Sequence, residues 1–225
     1  MLYTKASVRG VDARREIARE KLIVIVRGLP PEHLAPLAEA LYRGGVRLME
    51  ITFDQSRPES FAQTAAGVAL LRDAFAGRII PGAGTVMTQE QLALAHRAGA
   101  AYIVSPHTDA EIIRGAKERG LAAIPGATTP TEVVRAYALG ADFIKIFPLQ
   151  QLGPGYIRAL RAPLSHIPML AVGNVTLETA GEYMRCGADG VCVGGQLVNR
   201  QWIEEKQWDK ITACAAEMVR VVHQK

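Results

Sequence analysis

Lys145 is the residue in this sequence best placed for covalent chemistry. It lies in a short apolar run, residues 140–148, where Phe143 and Phe147 share its parity and isoleucines occupy the positions between them. Side chains alternate across a strand, so this pattern predicts that both faces are buried and that the amine points into one of them. A buried lysine favours its neutral form, a nucleophile that can form a Schiff base with a carbonyl. The alternative is an edge-strand lysine, or one paired structurally with a carboxylate.

Glu50 is an acidic side chain in a similar apolar setting, because Leu48, Met49 and Ile51 surround it. A carboxylate and an amine in one buried site can compensate each other. Two interpretations follow for Glu50 and Lys145. They form either a buried ion pair that adds little net stability, or a nucleophilic amine with its proton shuttle.

Helix-like stretches that end in glycine alternate with short apolar runs along the chain. Gly44, Gly99, Gly140 and Gly187 each end such a stretch, and glycine is the usual residue just after a helix C-terminus. The apolar runs are nearly continuous, as parallel strands covered on both faces should be. Eight strands are predicted on this basis, at 22–27, 48–53, 79–85, 102–106, 122–125, 143–147, 169–172 and 190–194.

Helical patterns fill the segments between the predicted strands, and two more flank them. Eight strand–helix units in a chain of this length predict a single-domain α/β protein over residues 1–225, a (β/α)8 TIM barrel with N-terminal and C-terminal helices. An open doubly wound sheet is the alternative, but no glycine-rich dinucleotide turn follows the first strand. The helices are predicted at 12–20, 31–43, 58–75, 89–98, 109–119, 130–139, 154–160, 177–186 and 202–223.

The predicted barrel would gather polar residues at one end, because chemistry in this fold sits at the C-terminal ends of the strands. Arg27, Glu50, Thr85 and Lys145 all fall at or near such ends. We therefore expect these four side chains to share one site.

The last two predicted strands run into glycine turns, Gly173-Asn174 and Gly194-Gly195, each followed by the start of a helix. Bare backbone N–H groups at helix N-termini bind anions. The loops after strands seven and eight of a barrel are a recurrent phosphate site. The two turns therefore predict a second, anion-binding part of the site.

Six short motifs also occur in an order and spacing typical of one enzyme family. They are Glu50-Ile-Thr-Phe, Gly82-Ala-Gly-Thr-Val86, Ile103-Val-Ser-Pro106, Ile124-Pro-Gly-Ala-Thr-Thr-Pro130, Phe143-Ile-Lys-Ile-Phe-Pro148 and Val193-Gly-Gly. With these motifs the chain resembles the family of 2-keto-3-deoxy-6-phosphogluconate (KDPG) aldolase and 4-hydroxy-2-oxoglutarate (KHG) aldolase. The resemblance extends over about residues 22–198.

The resemblance implies a class I aldolase on a (β/α)8 barrel that is commonly trimeric and uses no metal or other cofactor. It makes Lys145 the Schiff-base lysine and Glu50 the general acid and base. It also implies that Thr85 binds the pyruvyl carboxylate and that Pro106 and Phe147 wall the pocket. The two glycine turns would hold the distal phosphate.

Two features depart from the family pattern. Asp54 stands where the family often has an arginine that grips the substrate carboxylate, and an acidic side chain cannot replace it. Arg27 is the best substitute that the sequence offers. The glycine turns contain Asn174 and Gln196 where the family often has glycine and serine, so the anion held there need not be a phosphate.

Composition narrows the class of partner. The 225-residue chain is 49% hydrophobic with a net charge of +4, and its basic residues are scattered, which favours a small anionic ligand over nucleic acid. No apolar run is long enough to span a bilayer, and the first residues contain no signal-peptide core. The three cysteines, Cys186, Cys192 and Cys214, show no metal-ligand spacing. A cytoplasmic protein without membrane partners is expected.

The reaction expected from these features is cleavage of a 2-keto-3-deoxy-6-phospho sugar acid to pyruvate and glyceraldehyde 3-phosphate. One alternative is an aldolase for unphosphorylated 4-hydroxy-2-oxoglutarate or a related keto acid. Another is a non-catalytic barrel that binds a phosphosugar, although binding alone does not require an imine-forming amine.

Overall fold

A computed structural model describes residues 12–224. The described part contains nine parallel strand segments in one sheet, in the spatial order β5-β4-β3-β2-β1-β9-β8-β7-β6. They are β1 Leu22–Val26, β2 Leu48–Thr52, β3 Ile80–Gly84, β4 Tyr102–Val104, β5 Ala122–Ile124, β6 Gly126–Ala127, β7 Ile144–Ile146, β8 Met169–Val172 and β9 Gly190–Val193. Each of the eight predicted runs contains one of these strands, which confirms the predicted barrel.

Pro125 explains why nine segments build eight barrel strands. It separates β5 from β6, which pair with β4 and β7 respectively. Proline has no N–H to donate to the ladder, so the strand is interrupted there. Its carbonyl still accepts a hydrogen bond from the backbone N–H of Lys145 at 2.9 Å. This contact links the end of β5 to β7.

Helices surround the sheet between successive strands. The predicted C-terminal helix 202–223 is in fact two helices, because Lys206 adopts the left-handed conformation with φ 54° and an α-helix cannot continue through it. The first turn of predicted helix 58–75 is a 3₁₀ turn, Pro58–Ser60. The helices are α1 Ala13–Glu20, α2 Pro31–Arg43, α3 Phe61–Ala74, α4 Gln89–Ala98, α5 Ala110–Glu118, α6 Pro130–Ala138, α7 Pro154–Arg161, α8 Leu177–Arg185, α9 Arg200–Glu204 and α10 Trp208–His223.

The apolar core has two layers, as expected for a barrel. The larger layer lies between the sheet and the helices. The smaller layer fills the barrel interior and includes Ile23, Tyr102 and Leu170. Ala13 and Ile17 of α1 belong to this inner layer, so α1 covers the N-terminal end of the barrel and leaves the opposite end for a ligand.

The first eleven residues, on which the expectation of no export signal depends, lie outside the described residues, as does Lys225. Within residues 12–224, no helix combines the length and the apolar character needed to cross a bilayer.

Candidate active site

Lys145 lies in the middle of β7 with its side chain 6% exposed. Because β7 pairs with β6 on one side and β8 on the other, Lys145 is not an edge-strand residue. Its Nζ lies 4.6 Å from the centroid of the Phe147 ring. Within residues 12–224, the side-chain amine of Lys145 has no hydrogen-bond or ion-pair partner. The structure therefore presents an unpaired amine in a largely apolar setting.

Glu50 lies in the middle of β2 and is only 1% exposed. No partner among the described residues accepts or donates a hydrogen bond at its Oε2, and it forms no ion pair with Lys145. The two side chains therefore make no direct ion pair, although the charge of Lys145 acts on Glu50. Burial raises the pKa of Glu50, and the positive charges of Lys145 and Arg27 offset part of that rise. Such a carboxyl group titrates closer to neutral pH than an exposed glutamate, as proton transfer requires.

Arg27 and Thr85 meet at the mouth of the barrel. Arg27 directly follows β1 and is exposed, and its Nη2 donates to Thr85 Oγ1 at 3.4 Å. Thr85 has a φ of 55°, a conformation that strains a β-branched residue. The Gln55 side chain donates to the Thr85 carbonyl at 2.9 Å, and buried Gln91 donates to Gln55 at 2.9 Å. This network holds Thr85 in its strained position beside Arg27.

Asp54 is held by its near neighbours Ser56 and Arg57. Its carboxylate accepts hydrogen bonds from Ser56, through both the hydroxyl and the backbone N–H, and from Arg57 Nε at 2.8 Å. These contacts, those of Ser56 first, lower the pKa of Asp54 to about 2. Asp54 lines a separate cavity of about 340 Å³ beside α2 and α3. Asp54 is not among the residues that line the cavity around Lys145.

A cavity of about 860 Å³ opens at the C-terminal ends of the strands, and Lys145 lies on its wall. Glu50 is not among the residues that line this cavity. All eight residues predicted to bind substrate line the cavity, and they come from six different strand ends: Arg27, Thr85, Pro106, Phe147, Gly173, Asn174, Gly194 and Gly195.

The two glycine turns form the outer part of the cavity. Gly173 and Asn174 both have positive φ, 127° and 51°, and a side chain at Gly195 would meet nothing within 4 Å. The helix predicted after the first turn is confirmed, since α8 begins at Leu177, whereas residues 196–199 separate the second turn from α9. An anion at the second turn would therefore meet the backbone of the turn rather than a helix N-terminus.

The sequence model of the family described as "KDPG and KHG aldolase" matches residues 14–214. The chain belongs to the KDPG and KHG aldolase family. It is an aldolase and therefore a lyase.

Individual relatives of this aldolase carry more than one substrate name. It is 36% identical to a 2-dehydro-3-deoxy-6-phosphogalactonate aldolase of Escherichia coli, over 78% of this chain and 83% of the relative. It is 31% identical to a 2-dehydro-3-deoxy-phosphogluconate aldolase of Treponema pallidum, over 92% of this chain and 95% of the relative. A solved structure described as native KDPGal is 34% identical, with a TM-score of 0.78, and the match covers 89% of this chain and 93% of that one.

Arg200 is one residue of this aldolase's cavity that the sequence patterns missed. It is exposed at the start of α9, and within residues 12–224 it has no hydrogen-bond or ion-pair partner. Its Nη2 lies 3.4 Å from the position that a Cβ of Gly28 would occupy, at the cavity edge. The only signal in the sequence was its place as the first basic residue after Gly195.

The described residues contain no cluster of three His, Cys, Asp or Glu side chains suited to a metal ion.

Proposed function

We propose that this protein is a class I aldolase that cleaves a 2-keto-3-deoxy-6-phospho sugar acid of the 6-phosphogluconate type to pyruvate and glyceraldehyde 3-phosphate. The observation that carries this proposal is the position of Lys145. Its amine is nearly buried and unpaired, and it lies on the wall of a cavity of about 860 Å³. A non-catalytic phosphosugar-binding barrel would not need an amine in this state.

The reaction begins when the neutral amine of Lys145 adds to the C2 ketone, and loss of water from the adduct gives an iminium ion. The C3–C4 bond then breaks, and its electron pair flows into the iminium to form an enamine. At the same time the C4 hydroxyl loses its proton as C4 becomes the aldehyde carbonyl. Protonation of the enamine at C3 and addition of water at C2 release pyruvate and regenerate the amine.

Glu50 accepts the proton of the C4 hydroxyl and returns protons during formation and hydrolysis of the imine. Because Glu50 does not line the cavity, a water molecule carries the proton between Glu50 and the substrate. Its raised pKa supports this role, since the same group must both accept and donate a proton.

The pyruvyl carboxylate binds to Arg27 and Thr85, which already contact each other at 3.4 Å. A guanidinium group suits a carboxylate because it donates two parallel hydrogen bonds. Pro106 and Phe147 wall the pocket and keep water from the amine of Lys145.

The distal phosphate binds to the two glycine turns at the outer end of the cavity. The unpaired guanidinium of Arg200 lines the same cavity and adds a positive charge that can donate hydrogen bonds to the distal phosphate. A 6-phosphogalactonate-type substrate is the second candidate, because the 36%-identical relative from Escherichia coli carries that name.

The proposed assembly is a homotrimer, which equilibrium sedimentation would test against the 24.3 kDa mass of one chain.

Reduction with borohydride in the presence of pyruvate tests the mechanism. We expect the intact mass to increase by one reduced pyruvyl unit per chain, and peptide mapping to place it on Lys145. Lys145→Ala should abolish both the adduct and turnover, whereas Lys210→Ala, which changes an exposed lysine of α10, should change neither. An adduct on another lysine, or turnover by Lys145→Ala, would refute the Schiff-base mechanism.

Substrate choice is tested separately by comparing kcat/KM for the 6-phosphogluconate-type keto acid, its galactonate epimer and 4-hydroxy-2-oxoglutarate. The proposal expects the first compound to have the highest value. A higher value for the galactonate epimer would support the second candidate, and a higher value for the unphosphorylated compound would reject both.

A further inference from the structure

Tyr102 carries a buried hydroxyl group to which the reaction assigns no role. It lies in β4 inside the barrel and is fully buried. Among residues 12–224, four buried side-chain polar atoms lack a hydrogen-bond partner, and two of them are Tyr102 Oη and Glu50 Oε2. Buried polar groups are nearly always satisfied by protein or by ordered water, so these two atoms point to a shared partner.

Strand register places Tyr102 and Glu50 in one layer of the barrel. Glu50 of β2 is paired with Gly82 of β3, and Gly82 is paired with Tyr102 of β4. Gly82 has no side chain, and the Tyr102 ring occupies the space that one would fill. A Cβ at position 82 would stand 2.2 Å from Tyr102 Cε2 and 2.3 Å from Cζ. The hydroxyl-bearing edge of the ring therefore lies over β3, on the side that faces Glu50.

The charges around the two groups make Tyr102 a donor. Burial raises the pKa of Tyr102, and the negative charge of Glu50 raises it further, so the phenol keeps its proton. The other titratable groups that act on Glu50 or lie beside it are Lys145 of β7, Arg27 after β1, and Cys192 of β9. The pKa of Cys192 is also raised, first by burial, which leaves a neutral thiol. Tyr102 is thus the neutral O–H donor that faces the carboxylate within the barrel.

We propose that Tyr102 is a positioning residue for Glu50, and that one buried water molecule accepts a hydrogen bond from Tyr102 Oη and donates one to Glu50 Oε2. The inference rests on the acid–base role proposed above for Glu50. A hydrogen bond to the charged form of a carboxyl group favours that form. Tyr102 therefore opposes the effect of burial and keeps part of the Glu50 population ionised, which the base step needs.

The test combines Tyr102→Phe with a matched control, Tyr183→Phe. Phenylalanine keeps the ring over Gly82 and removes only the hydroxyl. Tyr183 is also buried, but it lies in α8 outside the sheet, and its hydroxyl donates to the Leu149 carbonyl at 3.5 Å. Infrared spectra of protein labelled with ¹³C-glutamate would follow the titration of Glu50, whose band is identified by its loss in Glu50→Gln.

In Tyr102→Phe the midpoint of the Glu50 titration should move to higher pH, by roughly a tenfold change in proton concentration. The acidic limb of the kcat/KM profile should move in the same direction. Tyr183→Phe should move neither. An unchanged Glu50 midpoint in folded Tyr102→Phe would overturn the inference, because it would show that the Tyr102 hydroxyl has no effect on the carboxyl group.

A crystal structure of the wild-type protein gives a second measurement that does not depend on the folding of a variant. Density for one water between Tyr102 Oη and Glu50 Oε2 supports the inference, and its absence refutes the proposed bridge. The role of Glu50 can fail independently. If Glu50→Gln keeps full activity, the proposed function of Glu50 is wrong, while the infrared titration still decides whether Tyr102 acts on the carboxyl group.

Discussion

A methyl group placed on Gly84 would stand 2.2 Å from Oε1 of Glu50. Real Cβ contacts do not reach such a distance, so the Glu50 carboxyl group occupies space that exists only because residue 84 has no side chain. Gly84 ends β3, and its partner in β2 is Thr52, two residues beyond Glu50. The glycine therefore fixes where the proposed acid and base can sit.

Gly84→Ala should displace the Glu50 carboxyl group and lower kcat by about 10²–10⁴, the range expected for loss of a positioned acid–base group. Circular dichroism should show a folded barrel. Gly155→Ala is the control, since a Cβ there meets nothing within 4 Å and alanine suits a helix. Near-normal kcat in Gly84→Ala would mean that Glu50 does not need this position.

Glu50→Gln keeps the shape of the side chain but cannot accept a proton. We expect kcat to fall by about 10²–10⁴ with folding retained, as measured by steady-state cleavage assays. Glu90→Gln changes an exposed glutamate of α4 and serves as the control. If kcat for Glu50→Gln stays within a few-fold of wild type, Glu50 is a structural neighbour of Lys145 and no more.

Glu50→Gln should also change how the stability of the protein depends on pH. The pKa of Glu50 is raised in the folded state above its ordinary value of 4.5. The stability that this group contributes is therefore present below that value and is lost as pH rises through the folded-state pKa. Wild type loses this stability as pH rises, and Glu50→Gln does not. The Tm of Glu50→Gln minus the Tm of wild type should therefore increase from acidic to alkaline pH. A difference in Tm that stays constant across this pH range would contradict the raised pKa.

Arg27→Met tests the proposed carboxylate contact. A hydrogen bond to a charged group contributes about 1.5–3 kcal/mol. Because Arg27 is exposed, we expect the lower end of that range, or roughly a tenfold higher KM for pyruvate in the condensation direction. Asp54→Ala should leave this KM unchanged, since Asp54 binds Ser56 and Arg57 instead. An unchanged KM in Arg27→Met would leave Thr85 and backbone amides as the carboxylate ligands.

Arg200→Met tests the proposed phosphate contact. We expect kcat/KM for the phosphorylated keto acid to fall about tenfold, because a charge-assisted hydrogen bond is lost. The value for unphosphorylated 4-hydroxy-2-oxoglutarate should not change. Arg97→Met, at an exposed position of α4, is the control. Equal losses for both substrates would show that Arg200 acts on the cavity as a whole and not on the phosphate.

The barrel and nine of the residues that line its cavity could be predicted from the sequence, because the signals for them are local. Alternation of apolar residues in strands, glycines after helices, and the position of a residue at a strand end all depend on a few neighbours in the chain. Lys145, Thr85 and the two glycine turns were found in this way, and the structure places all of them on one cavity. The break at Lys206 was missed, because φ 54° at a lysine leaves no pattern in the residues around it.

The relationships that remained hidden join residues that are far apart in the chain. Arg200 reaches the cavity edge over Gly28, and the Tyr102 ring crosses Gly82 toward Glu50. Which way a long side chain turns depends on the packing of every element around it. That packing exists only once the barrel has closed, so the sequence determined which residues reach the mouth and interior of the barrel, and the tertiary structure alone decided which of them meet.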